Sequence, residues 1–107
     1  MNIGNIGKMM QQARKMQENL KKMQEELAAS EVSGEAGGGM VRVTMGGDRV
    51  VRRVEIDPAL WQEQDKDLLE DLVAAAMNAA LRALDELTQE KQKQAMGGLP
   101  LPPGFSL

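Results

Sequence analysis

The apolar positions near the start of the chain fall at Ile6, Met9, Ala13, Met16, Leu20, Met23 and Leu27, with gaps that alternate three and four. That spacing predicts a helix over residues 5–29 with an a/d seam, the pattern of a helix lying along a long partner helix. The period then changes. Over 31–36, Val32, Gly34 and Ala36 alternate with Glu31, Ser33 and Glu35. Over 40–45, Val41, Val43 and Met45 alternate with Arg42 and Thr44. Over 49–56, Val50, Val54 and Ile56 share a face that Arg52 interrupts, and Val51, Arg53 and Glu55 share the other. A period of two predicts strands with one half-buried face. Gly37-Gly38-Gly39 and Gly46-Gly47-Asp48 lie between them and predict hairpin turns. The three strands therefore form an antiparallel meander.

Asp57-Pro58 ends the sheet, and a short turn comes next with Trp61 as a packing anchor. A second long helix is predicted over 65–95. Its stripe is Leu69, Val73, Ala76, Ala80, Leu84 and Leu87, and Glu70 and Asp71 in its first turns suit the positive helix end. Residues 97–107 read GGLPLPPGFSL, a Pro-rich stretch expected to be extended, with Phe105 as its anchor. The fold class is α+β, in one domain: long helix, three-stranded meander, long helix, Pro-rich tail.

Charge changes this picture through its position. With Ile6 at heptad position a, Arg14 and Lys21 fall at b and Lys8, Lys15 and Lys22 at c, so a basic flank runs beside the seam. Arg14/Glu18, Glu18/Lys22, Lys21/Glu25 and Lys22/Glu26 stand at i,i+4, where they can form ordinary surface pairs. Lys8 and Lys15 are followed at i+4 by Gln12 and Asn19, which leaves them freer to meet an external anion. The formal net charge is −3, but residues 1–30 sum to +2, 31–56 to 0, 57–87 to −6 and 88–107 to +1. The acid is confined to one region, and the basic ends keep a local positive field.

Residue chemistry narrows the function classes. The chain has no Cys and no His. That removes thiolate chemistry, Cys-ligated zinc, the commonest general base and the commonest metal ligand. The acids Asp57, Asp65, Asp67, Glu70 and Asp71 are explained by a helix start. No enzyme activity, cofactor, metal or small-molecule substrate is expected. No apolar run approaches the roughly 20 residues that span a bilayer, so no membrane partner is expected and a cytoplasmic location is the default. One Trp, one Phe and no Tyr argue against an aromatic single-strand reader.

The stretches KMMQQARKMQENLKKMQEEL at 8–27, EVSGEAGGGMVRVTMGGD at 31–48, RRVEIDPAL at 52–60, LLEDLVAAAMNAAL at 68–81 and LPPGF at 101–105 together resemble the YbaB/EbfC family of bacterial nucleoid-associated proteins. The resemblance covers nearly the whole chain. It implies a homodimer with a tweezer-like shape, sheets in the body and helices as arms. It also implies binding to double-stranded DNA and a role in nucleoid organisation or gene regulation. On that reading the DNA-binding residues are Lys8, Arg14, Lys15, Lys21 and Lys22, joined by Lys91 and Lys93. The packing seam is Ile6, Met9, Met16, Leu20, Met23 and Leu27. A protein-interaction adaptor, using the Met-rich seam and the LPPGF tail, is the other reading of the same surfaces.

Overall fold

The computed structural model describes residues 3–96. The order is α1 (Ile3–Ala29), β1 (Glu31–Ala36), β2 (Val41–Gly46), β3 (Val51–Ile56), α2 (Pro58–Gln62) and α3 (Lys66–Ala95). The strands make one antiparallel sheet in the order β1-β2-β3. The expected extended tail at 97–107 lies outside the described residues.

Local chemistry sets the boundaries. Asp57 caps α2 by accepting from Ala59 N at 2.8 Å, with Pro58 at the first helical position where its missing N–H costs nothing. Asp65 caps α3 by accepting from Leu68 N at 3.1 Å. Gly37, Gly38 and Gly39 are all left-handed, which only a glycine run adopts without strain. β3 starts at Val51, later than the alternation over 49–56 predicts. Arg49 is left-handed with φ 66°, and Val50 closes the turn by accepting from Gly46 N at 2.9 Å.

The core lies between α3 and the β1–β2 half of the sheet. Val41, Val43, Met45, Leu60, Ala76, Ala80 and Leu84 are buried there. Gly34 makes the close approach possible: a Cβ on it would overlap the backbone of Ala76, Ala79 and Ala80. A glycine facing alanines brings helix and strand within reach of dispersion contacts along their whole crossing.

The strand register departs from simple alternation. Met45 pairs with Val51 and Thr44 with Arg53, so Arg52 is an extra residue in a β-bulge. Val51, rather than Val50, therefore joins Val54 and Ile56 on the core-side face. Arg52 is carried to the opposite face, where it crosses side-chain-free Gly46 to reach Glu31 at 3.7 Å and Asp48 at 3.6 Å. A second departure concerns Trp61. It is 69% exposed, while Leu60 beside it is 2% exposed and serves as the anchor. A single-turn helix that points one residue inward turns its neighbour about 100° away.

α1 touches the body only with its second half. Met23 and Leu27 are buried and Leu20 is half-buried, against Ile6, Met9 and Met16, which are exposed. The two long helices are antiparallel where they meet: Asn19 Nδ2 donates to Ala95 O at 3.4 Å, and Lys91 Nζ stands 3.2 Å from Glu26 Oε2. Beyond Asn19 α3 has run out, and among the described residues no other element packs on α1. The molecule measures 73 × 24 × 16 Å, with a radius of gyration of 20.1 Å. A compact chain of this length would have a radius near 13 Å.

Candidate nucleic-acid interface

The cations divide into two populations. Those of the sheet and its hairpin are all paired: Arg42 with Glu35 at 2.6 Å, Arg49 with Asp85 at 3.1 Å, Arg52 with Glu31 and Asp48, and Arg53 with Glu55 at 3.5 Å. Each is an exposed pair whose main effect is to neutralise that surface. The cations of α1 are the other population. Lys8, Arg14, Lys15, Lys21 and Lys22 are exposed, and none is within ion-pair distance of an acid among the described residues. The i,i+4 pairs that their spacing suggests do not form. Glu26 reaches across to Lys91 instead of back to Lys22.

Lys8, Lys15 and Lys22 recur every seven residues and so stand in one row, about 10.5 Å apart along the axis. Arg14 and Lys21 form a second row about 100° around the helix, with Gln11, Glu18 and Glu25 between the two. Met16, Met9 and Ile6 lie on the other side of the Lys8–Lys15–Lys22 row, which makes the arm amphipathic along its length. No His, Cys or buried acid stands near it.

On α3 the two expected residues differ. Lys91 is 25% exposed at its side chain and engaged with Glu26, so it ties α3 to α1. Lys93 is exposed and has no acidic partner among the described residues. Arg82 also has no acidic partner among the described residues: Asp85, one turn away, is held by Arg49, and Glu86 forms no ion pair with it. Arg82 and the pairing of Asp85 could not be read from sequence neighbours: the competing cation is 36 residues away.

Charge is distributed along the long axis. α1 carries its free cations from Lys22 outward to Lys8. α3 runs from Lys91 beside Glu26 away to Asp71, Asp67 and Asp65 at the other end of the body. At 1.5 Å per residue, Lys8 and Asp67 are separated by about 60 Å. The Debye length at physiological salt is about 8 Å, so the acidic end does not cancel the field at the arm. The net charge of the whole chain is thus a poor guide to the potential at the arm.

Long, exposed ammonium and guanidinium groups on a narrow helix can neutralise a polyanion without reading bases. Among the described residues, no group of three His, Cys, Asp or Glu is placed to hold a metal ion, and no helix is long and apolar enough to cross a membrane.

The sequence model of the YbaB/EbfC DNA-binding family matches residues 1–99. Among solved structures, the crystal structure of uncharacterized protein HP0035 from Helicobacter pylori superposes with a TM-score of 0.68 at 22% identity, over 91% of this chain and 99% of that one. That likeness is one of fold.

Proposed function

Because this chain belongs to the YbaB/EbfC DNA-binding family, we propose that it binds duplex DNA as a homodimer, mainly through phosphate contacts from α1, and acts at the nucleoid in DNA organisation or gene regulation. The observation that carries the reading is the split between paired and unpaired cations. The sheet has spent its arginines on its own acids, and the arm has kept its five cations for something outside the chain. Lys8, Arg14, Lys15, Lys21 and Lys22 supply the contacts, with Lys93 as a further one. Lys91, held by Glu26, contributes least.

The homodimer is supported by the sheet. α3 covers β1 and β2, and the core-side residues of β3 (Val51, Val54 and Ile56) remain exposed. A strand with an apolar face and a free edge is ordinarily covered in a soluble protein. A second copy placed on that face brings the two bodies together and leaves the arms projecting, the tweezer-like arrangement. Among homo-oligomers a two-fold pair is the commonest solution.

The test is fluorescence anisotropy on a labelled duplex across a salt series. Saturable binding that weakens steeply with salt is expected, with a slope of about −0.9 per neutralised phosphate. K8E/K15E is expected to weaken binding strongly and flatten the slope while leaving the oligomeric state unchanged. Unchanged affinity in that variant removes the arm from the interface.

A further inference from the structure

The seam of α1 is two surfaces in one. From Leu20 to Leu27 it is covered by α3, and from Met16 back to Ile6 it is bare, with Met9 67% exposed. The covering stops because α3 ends, with Ala95 beside Asn19. The chain therefore leaves α3 at the place where the uncovered seam begins.

Beyond α3 the chain continues as GGLPLPPGFSL. Leu99, Leu101, Phe105 and Leu107 are apolar, and residues 97–107 carry no charged side chain. Pro100, Pro102 and Pro103 have no N–H, so an extended path against an apolar surface would strand few backbone donors. Proline also restricts the free chain, which lowers the ordering cost of docking. Aromatic and apolar side chains of a Pro-rich segment are the usual complement of a narrow apolar groove. The reach matches as well. Leu99 to Phe105 spans about 19 Å at 3.1 Å per residue, and Met16 to Ile6 spans about 15 Å at 1.5 Å per residue. Because α3 is antiparallel to α1, such a path continues the direction of α3.

We infer that the segment Leu99–Phe105 docks on the bare seam of its own α1, running from Met16 toward Ile6 with Phe105 near Ile6. It continues the surface that α3 provides to Leu20, Met23 and Leu27. The docked segment leaves the Lys8–Lys15–Lys22 row open, since that row lies about 100° around the helix from Met9 and Met16, with Gln12 and Asn19 between. Docking uses the apolar side of the arm and stands apart from the DNA reading.

The methionines supply the measurement. Met9 and Met16 lie in the seam. Met10, 61% exposed, lies beside it and serves as the internal reference. Exposed Met converts to sulfoxide in dilute peroxide, and a covered one does so slowly. In the full chain without DNA, mass spectrometry should find Met9 and Met16 oxidised several-fold more slowly than Met10. L101A/F105A, with unchanged far-ultraviolet circular dichroism, should raise Met9 to the rate of Met10 and Met16, 39% exposed, toward it. Equal rates in the unaltered chain overturn the inference, and so does protection that survives L101A/F105A, which would mean another surface covers the seam. The absence of native Cys permits a second test, oxidation of I6C/F105C. A disulfide within one chain is expected on a non-reducing gel. A covalent dimer, or no disulfide, overturns docking of the chain's own segment.

Discussion

Gly34 and Gly38 would both be replaced by alanine at a cost, for different reasons. At Gly34 a Cβ meets the backbone of α3 at Ala76, Ala79 and Ala80, and backbone cannot rotate away. Overpacking of this kind costs about 1–3 kcal/mol. At Gly38 nothing lies within 4 Å, and the only cost is a left-handed backbone with φ 65°, about 1–2 kcal/mol. Urea unfolding should show a lower midpoint for both, with α3 displaced in G34A alone, detectable as amide shifts over residues 76–80. Gly34 is legible in the sequence as a strand position and not as a contact, because the alanines it meets are more than 40 residues away. Arg49 is equally hidden. Its left-handed backbone sits where a glycine is expected, and the bridge to Asp85 that accompanies it is visible only in three dimensions.

Elements are more legible in the sequence than their partners. A period of 3.5 locates α1, and a period of two locates the strands, because burial on one face imposes each period directly. Periodicity does not report how far a partner extends. The seam runs unbroken from Ile6 to Leu27, yet α3 meets only its last part. M23A should therefore cost about 2–4 kcal/mol in chemical unfolding, the range for truncating a buried Met or Leu. M9A should cost less, about 1 kcal/mol, because α3 does not reach Met9 and only the inferred docked segment covers it. Equal losses would mean that the seam is covered to the same degree throughout. The bulge in β3 is illegible for a related reason. One extra residue shifts every later side chain to the other face, and simple alternation over Arg49–Ile56 assigns the faces as if no residue had been inserted. The cation positions of the candidate site are legible from the heptad, but which cations remain unpaired is not. For Lys22 that depends on Lys91 capturing Glu26 across two helices.

At the scale of the whole molecule, V54E tests the proposed dimer. Val54 is exposed on the core-side face of β3 in the single chain, so a charge there is tolerated by the protomer. Light scattering after size exclusion should show a shift from dimer to monomer, with circular dichroism unchanged. A variant that stays dimeric moves the interface elsewhere. An arm about 24 Å long, from Ile3 to the level of Asn19, also has a consequence for affinity. A helix joined to its body at one end frays from the other, and its outermost turns, supported only by the inferred docked segment, are marginal in water. Binding a polyanion would then include ordering the outermost turns, so part of the interaction is offset by lost chain entropy. Gly7 lies in those turns with open space around its Cα, and glycine in a helix interior is less favourable than alanine by about 1 kcal/mol. G7A is expected to tighten DNA binding by up to about fivefold without adding a contact or a charge, with an unchanged salt slope. The strength of the grip would then be set partly by how often the arm is already a helix when DNA arrives.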